Sequence, residues 1–140
     1  MEKAKLQERY QLFIGGQWKD ASAHETFKTI CPADGSVLAE CAQATKEDVD
    51  EAVKAAWEAF KTWKHTTVAE RAAVLNKIAA IIDENKEHLA MVESMDNGKP
   101  IRETMAIDVP YSSDHFRYFA GAIRVEEGKA SVLDGNMMSL

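Results

Sequence analysis

The pattern of apolar and polar residues changes its period near residue 44 of this chain. Before that point, short apolar runs alternate with polar residues at period two, and Gly15-Gly16 and Pro32-Ala33-Asp34-Gly35 interrupt them as turn sequences. This pattern predicts two short antiparallel hairpins. The predicted strands are Tyr10–Ile14 with Gln17–Lys19, and Thr26–Cys31 with Val37–Cys41.

Beyond residue 44 the apolar residues recur at helical spacing. Thr45 precedes acidic residues in a manner typical of a helix N-cap, and Thr67 forms a capping-box sequence with Glu70. A break near Asn85, which is expected to cap the following segment, separates the second predicted helix from the third. The apolar face of the first helix consists of Val49, Ala52, Val53, Ala56, Phe60 and Trp63. We expect the aromatic pair Trp57 and Phe60 to lie in the core.

The segment Ser94–Thr104 is predicted to form a hinge between helices. Gly98 can adopt a positive φ just beyond a helix end, Lys99 is a cation near the helix C-terminus, and Pro100 cannot continue the helix. Pro110 is expected to begin a further helix in its first turn. We expect this helix to bury Phe116, Phe119 and Ile123 and to end at Gly128, with a strand, a turn and a second strand over 132–140.

Composition places the chain among ordinary soluble domains, with 46% hydrophobic and 29% charged residues among 140. The net charge of −6 and the absence of a Lys/Arg cluster argue against a nucleic-acid surface. No apolar run reaches membrane-spanning length, and the first residues lack an apolar signal-peptide core. We therefore expect a cytoplasmic protein without membrane partners. Cys31 and Cys41 are expected to be structural thiols.

The residues by themselves reveal little chemistry. The chain lacks a G-x-G-x-x-G sequence, a Walker loop, a Cys-x-x-Cys pair and a His-Glu-x-x-His sequence. Its four histidines are scattered, and Asp108 and Asp114 beside His115 suggest no more than a polar cluster on a helix. Physical reasoning alone therefore predicts an α-rich domain with a β-rich start.

Several strings, taken in their order and spacing, carry a resemblance. They are Leu12-Phe13-Ile14-Gly15-Gly16-Gln17-Trp18, Thr29-Ile30-Cys31-Pro32-Ala33-Asp34-Gly35, the helix from Glu47 to Ala56, Asp96-Asn97-Gly98-Lys99-Pro100, and His115-Phe116-Arg117-Tyr118-Phe119-Ala120-Gly121. From Tyr10 onward the chain resembles the N-terminal part of the NAD(P)-dependent aldehyde dehydrogenase superfamily. The segment 97–121 is most similar to bacterial acetaldehyde and aliphatic aldehyde dehydrogenases.

The resemblance implies an α/β fold with a Rossmann-like cofactor domain, of which this segment is a mostly α-helical part with short N-terminal antiparallel hairpins. Residues 1–9, which are polar and charged and precede the resemblance, are expected to be a flexible lead-in. Residues 10–130 would belong to the cofactor-binding domain, and residues 131–140 would begin the hairpin that joins subunits into a homo-oligomer. The implied cofactor is NAD or NADP, and the implied substrate is a small aldehyde.

The resemblance also assigns site residues. The family's nucleophilic Cys, oxyanion Asn, general base and cofactor-binding residues match no position here, so we expect neither catalytic nor cofactor-binding residues in this segment. Many members bind a monovalent cation, and the matching positions are the carbonyls of Thr29 and Ile30 and the carboxylate of Asp96; a helix-end hydrogen bond without an ion is the alternative. Asp108 and Tyr111 match the mouth of the family's aldehyde tunnel, or else lie on an ordinary helix surface.

Two functional interpretations follow. In the first, the chain is the N-terminal portion of an enzyme that oxidises a small aliphatic aldehyde, such as acetaldehyde, to the acid through a Cys thioester, and the segment alone is inactive. In the second, it is a non-catalytic remnant that acts as a helical interaction module. We further expect the isolated segment to be unstable or to associate, because its helical stripes lack the sheet they should cover. The particular aldehyde, NAD against NADP, and dimer against tetramer stay open.

Overall fold

The computed structural model describes residues 4–125, 127–128, 131–134 and 137–139. The fold begins with short strands and continues with helices, as the change of period predicts. The strands are β1 (Arg9–Tyr10), β2 (Leu12–Ile14), β3 (Gln17–Lys19), β4 (Thr26–Ile30), β5 (Val37–Ala42), β6 (Ser131–Asp134) and β7 (Met137–Ser139). The helices are α1 (Lys46–Trp63), α2 (Val68–Glu84), α3 (Lys86–Asn97), α4 (Ile101–Glu103) and α5 (Val109–Ala122), with a π-helical turn (Thr104–Asp108) between α4 and α5.

Both predicted hairpins are confirmed. Strands β2 and β3 pair antiparallel around Gly15 and Gly16, whose φ angles of 60° and 81° suit a two-residue hairpin turn. Strands β4 and β5 also pair antiparallel. The prediction of one continuous strand from Tyr10 to Ile14 is wrong, because β1 leaves the first hairpin and pairs parallel with β5, where Tyr10 lies opposite Cys41. Strands β6 and β7 form a further antiparallel pair.

Reciprocal side-chain caps begin the first two helices, as the sequence predicts. The Thr67 hydroxyl accepts from the Glu70 N–H, and the Glu70 carboxylate accepts from the Thr67 N–H at 2.7 Å. The N–H of Thr67 holds the pKa of the Glu70 carboxyl below its usual value. The prediction for Asn85 is half right: a break does occur there, but the Asn85 amide donates back to the Ile81 carbonyl and does not cap α3.

The cap of α1 also ties the helix to the chain before it. The Asp48 carboxylate is buried and accepts from the backbone N–H of Thr45 at 2.8 Å and from that of Ser22 at 3.1 Å. The Ser22 and Thr45 hydroxyls lie 2.8 Å apart beside it. These hydrogen bonds, that of Thr45 first, hold the pKa of Asp48 below its ordinary value of 3.8. The carboxylate thus fixes the start of α1 against the loop after β3.

The helices pack through small side chains. Helices α2 and α5 form the main helix pair, and α3 contacts the π-helical turn and α5. The buried residues at these contacts are Ala72 and Ala79 of α2, Ala90 of α3, and Val109, Ser113 and Ala120 of α5. Arg117 of α5 also donates to Asp83 of α2, which keeps the two helices aligned. Close approach of helix backbones needs such small residues, so the core of this segment contains few large side chains.

Large apolar side chains lie instead on the outside, which corrects three predictions of burial. Trp57, Phe60 and Phe119 are 64%, 47% and 53% exposed. Helix α1 meets the hairpin through a different side, where a β-carbon added at Gly15 would lie 3.8 Å from the Cβ of Ala55. The periodicity correctly predicts an apolar face, and within the described residues that face has no cover.

Helix α5 has Pro110 in its first turn, as predicted, but it ends at Ala122 and not at Gly128. Gly121 lies one residue before this end, and glycine weakens a helix more than any residue except proline. The predicted turn residues Gly135 and Asn136 and the last residue, Leu140, lie outside the described residues. None of the helices described for this chain is long and apolar enough to cross a membrane.

Candidate functional site

The hinge after α3 is one of the points where the β-rich start meets the helices. Helix α3 ends at Asn97, and Gly98 adopts the left-handed conformation with φ 81° and ψ 8°, as predicted. The Asn97 side chain accepts from the Lys99 N–H at 2.8 Å and closes the turn. A β-carbon added at Gly98 would lie 2.9 Å from Cγ of Pro32, in the turn between β4 and β5. Glycine is therefore required here both by its backbone angle and by this close approach.

This close approach brings together two of the residues predicted to bind a cation. The Thr29 hydroxyl donates to the Asp96 carboxylate at 2.6 Å, although 67 positions separate them in the sequence. Ile30 follows Thr29 at the end of β4, where the pairing with β5 shifts register. Such a shift frees backbone groups from the regular ladder. The Thr29 hydroxyl and the Asp96 carboxylate contribute oxygen atoms to this contact, and oxygen atoms are the ligands that hard cations prefer.

The described residues contain no group of three or more His, Cys, Asp or Glu side chains that could hold a metal ion. The predicted set differs from such a group, because it consists of one carboxylate, Asp96, and the carbonyls of Thr29 and Ile30. Both cysteines are free, with Cys31 buried and Cys41 half-buried.

Lys99 lies just beyond the C-terminus of α3, as predicted, and also makes a contact that the sequence does not indicate. Its ammonium donates to both carboxylate oxygens of Asp108, each at 2.8 Å, and so links the hinge to the residue before α5. The hydrogen bond to Asp108 raises the pKa of Lys99 above its ordinary value of 10.5. A separation of nine residues across a turn has no recognisable sequence signal, so only the folded chain reveals this pair. Asp108 accordingly binds Lys99, and the His115 ring contacts Tyr111.

The π-helical turn carries Asp108 into this position. Thr104 is fully buried, and its hydroxyl lies 2.9 Å from the Ala90 carbonyl and 2.9 Å from the Ser94 hydroxyl, both in α3. These contacts fix the start of the turn on α3. π-Helical turns occur often at functional sites, because the extra residue redirects the side chains that follow. Neither this turn nor its anchor is predicted by a signal in the sequence.

Tyr111, the other predicted tunnel residue, lies on the exposed side of α5 with 63% of its surface accessible. Its ring meets the His115 ring edge-on at a centroid distance of 4.1 Å, and the Tyr111 carbonyl lies 2.8 Å from Nδ1 of His115. Ile107, 58% exposed, joins Tyr111 in lining a shallow surface pocket with Ala106, Pro110 and Asp114. Asp108 and Tyr111 therefore lie near each other in sequence and fold, one held by Lys99 and one exposed.

Comparison with known proteins defines the class. Residues 18–139 match the aldehyde dehydrogenase family. Aldehyde dehydrogenase B of Escherichia coli is 47% identical over 135 residues, which are 96% of this chain and 26% of that protein. An aldehyde dehydrogenase of Rhodospirillum rubrum is 49% identical over 126 residues, 90% of this chain and 25% of that protein. The chain belongs to the aldehyde dehydrogenase family.

Solved structures agree with this assignment. PnpE of Pseudomonas sp. WBC-3, in a complex with nicotinamide adenine dinucleotide, superposes with a TM-score of 0.87 at 40% identity and covers 92% of this chain and 26% of that one. The predicted fold class is thereby confirmed: a mostly helical segment of an α/β family. The chain spans about a quarter of the length of the relatives it matches.

Proposed function

We propose that this chain is the N-terminal portion of an NAD(P)-dependent aldehyde dehydrogenase that oxidises a small aliphatic aldehyde, such as acetaldehyde, to the acid. The observation that supports this most strongly is the family match over residues 18–139, together with 47% identity to the E. coli enzyme across 96% of the chain. NAD is the nucleotide in the complex of PnpE, which supports a nicotinamide cofactor for this chain's parent enzyme as well.

The chemistry of the proposed reaction needs a thiolate that attacks the aldehyde carbon, amides that stabilise the oxyanion, and a base that activates water on the thioester. The proposal places all of these outside the 140 residues. Within them, its contribution is structural: residues 10–130 form part of the cofactor domain, and residues from 131 begin a hairpin that joins subunits of a homo-oligomer. The antiparallel pairing of β6 and β7 suits that second role.

A monovalent cation site is part of the proposal. Its ligands are the carbonyls of Thr29 and Ile30 and the carboxylate of Asp96. The hydroxyl of Thr29 already bonds the Asp96 carboxylate, so the strand and the hinge are close enough to share one ion. A cation there would hold the end of β4 against the end of α3, the same junction that Gly98 and Pro32 form by close packing.

The tunnel mouth is the second proposed site, formed by Asp108 and Tyr111. The exposed ring of Tyr111 offers an apolar wall, and Ile107 beside it extends that wall. Lys99 keeps the Asp108 carboxylate neutralised and turned toward the hinge. An apolar rim of this kind suits a small uncharged aldehyde better than a charged one.

A hybrid enzyme tests the proposal. Residues 1–140 replace the matching quarter of E. coli aldehyde dehydrogenase B, and NAD(P)H formation is followed with acetaldehyde. We expect the hybrid to retain aldehyde-dependent activity, and the 140-residue chain alone to show none. The same hybrid with its nucleophilic cysteine replaced by serine is the control for background reduction. A hybrid that folds and assembles but lacks activity with any short aldehyde would refute the proposal.

The alternative, a non-catalytic helical interaction module, is supported by one observation, the uncovered apolar face of α1. The intact mass of the protein from its source cells separates the two functions. A mass near 15.6 kDa would favour the module, and a mass several times larger would favour the enzyme.

A further inference from the structure

The π-helical turn over Thr104–Asp108 is held at both of its ends by contacts with other parts of the fold. At its first residue, the buried Thr104 hydroxyl donates to a carbonyl of α3 at 2.9 Å. At its last residue, the Asp108 carboxylate accepts two hydrogen bonds of 2.8 Å from the Lys99 ammonium. Between these ends, the Val109 N–H donates to the Thr104 carbonyl. The turn is therefore fixed on α3 at one end and on the hinge at the other.

The helix that follows the turn has attachments of its own. Helix α5 packs on α2, and Arg117 of α5 donates to Asp83 of α2. A π-helical turn, by contrast, is rare in proteins, because the α-helical pattern of hydrogen bonds is preferred. If the contact with Lys99 were removed, the turn would relax while α5 stayed in place. The Lys99 contact therefore controls where the turn lies relative to α5.

The surroundings of Asp108 show why a cation matters at this position. Asp108 and Glu93 line one cleft, whose walls also include the apolar side chains of Ile82 and Leu89. Two carboxylates that share such a site disfavour each other's charge. The Lys99 ammonium binds Asp108, and its charge also interacts with that of Glu93. Without the ammonium, the Asp108 side chain would turn toward water and would carry the end of the turn with it.

The apolar rim of the proposed tunnel mouth depends on this placement. Ile107 belongs to the turn and Tyr111 to α5, and both line the same shallow pocket. Helical residues four positions apart are neighbours, so a displaced turn changes the spacing of these two side chains. We propose that Lys99 is a positioning residue, which sets the shape of this rim through Asp108 and thereby the length of the aldehyde chain that the mouth admits. This role rests on the proposed function.

Hydrogen–deuterium exchange of the 140-residue chain tests whether Lys99 holds the turn. Lys99→Met keeps the length of the side chain and removes the ammonium, and the amides of residues 104–109 should then exchange at least tenfold faster. The amides of α2 are the internal reference for opening of the whole chain and should be unchanged. Lys99→Arg should exchange like the original chain, because a guanidinium also donates two hydrogen bonds to one carboxylate.

Lys19→Met is the matched control for the loss of an ion pair. The Lys19 side chain is comparably exposed, at 36% against 46% for Lys99, and its ammonium pairs with the Glu51 carboxylate of α1. This variant should leave exchange in the turn unchanged. If Lys99→Met also leaves it unchanged, or if exchange in α2 rises equally, the proposal is overturned.

Kinetics of the hybrid enzyme test the consequence for the substrate. An apolar pocket distinguishes substrates that differ by one methylene group by about tenfold or more in kcat/KM, so a change in its shape is measurable. In Lys99→Met, the ratio of kcat/KM for hexanal to that for acetaldehyde should rise at least threefold, because a released rim no longer excludes the longer chain. The change should appear in the KM values for the aldehydes, with kcat for acetaldehyde and the KM for the nucleotide unaltered. Lys99→Arg should restore the original ratio.

The two measurements separate this role of Lys99 from the proposed function. An active hybrid in which Lys99→Met keeps the original ratio, or loses activity equally with both aldehydes, would overturn the positioning role and leave the enzyme function intact. An inactive hybrid with the unsubstituted segment would count against the enzyme function, and the selection of aldehyde length would fall with it. Exchange in the 140-residue chain would still decide whether Lys99 holds the turn.

Discussion

Replacing Gly98 by alanine probes the junction on which the hinge depends. Two costs apply. An L-residue in the left-handed region costs roughly 1–2 kcal/mol, since its β-carbon crowds the backbone. The new β-carbon would also lie 2.9 Å from Cγ of Pro32, inside contact distance, and forced overpacking costs about 1–3 kcal/mol. The free energy of unfolding should therefore fall by about 2–5 kcal/mol in total.

Gly16→Ala is the matched control for the backbone cost alone. Gly16 has the same φ of 81°, and a β-carbon added there meets no atom within 4 Å. This variant should lose only roughly 1–2 kcal/mol. The difference between the two variants measures the close approach of the hinge to Pro32.

A variant of Pro32 separates the backbone cost from the packing cost of the Gly98→Ala substitution. Pro32→Ala removes the Cγ atom, after which the nearest Pro32 atom to the added β-carbon, Cβ at 3.7 Å, is at ordinary contact distance. Gly98→Ala should then cost about as much as Gly16→Ala. Urea denaturation followed by circular dichroism measures all the variants. Equal losses for Gly98→Ala and Gly16→Ala in the original chain would show that the approach of Pro32 to position 98 adds no cost.

Three further predictions concern single side chains. Thr104→Val should lower the free energy of unfolding by about 1–3 kcal/mol, because it removes the hydroxyl at the Ala90 carbonyl, while Thr104→Ser should keep most of the stability in the same urea titration. The lowered pKa of Asp48 stabilises the fold above its ordinary pKa of 3.8, and this contribution is lost as pH falls through the lower folded pKa. Asp48→Asn should thus be less stable than the original chain at neutral pH, and the two stability curves should converge in acid; parallel curves would contradict this cause. In the hybrid enzyme, Asp96→Asn should weaken any activation by K⁺ severalfold while Asp114→Asn leaves it unchanged, and an unaltered K⁺ titration would argue against the cation site.

The elements that the sequence predicts well depend on neighbours in the chain. The hydroxyl of Thr67 and the carboxylate of Glu70 are three residues apart, so their capping box forms wherever that helix begins. Gly98 ends α3 for an equally local reason, since few other residues tolerate its φ. The predicted ends of elements are wrong by a few residues. Helix α5 ends six residues before Gly128, and a single residue separates β1 from β2.

Only part of the candidate site is formed by residues that lie close together in the sequence. The resemblance points to Thr29 and Asp96, but their hydrogen bond spans 67 positions and exists because the turn at Pro32 packs on Gly98. The contact between Lys99 and Asp108 crosses a π-helical turn that no periodicity indicates. The path of the backbone brings such side chains together. The residue types at those positions do not indicate that path.

Local signals were enough to predict the two hairpins, the starts of α1 and α2, and the stop at Gly98, because caps, turns and periodicity act over a few residues. Three features depend on contacts between distant parts of the folded chain: β1 lies parallel to β5, Lys99 binds Asp108, and the helices meet through alanines. The structure also shows that the apolar stripe of α1 is exposed within the described residues. Periodicity identifies a face that avoids water, but what covers that face depends on everything packed around it.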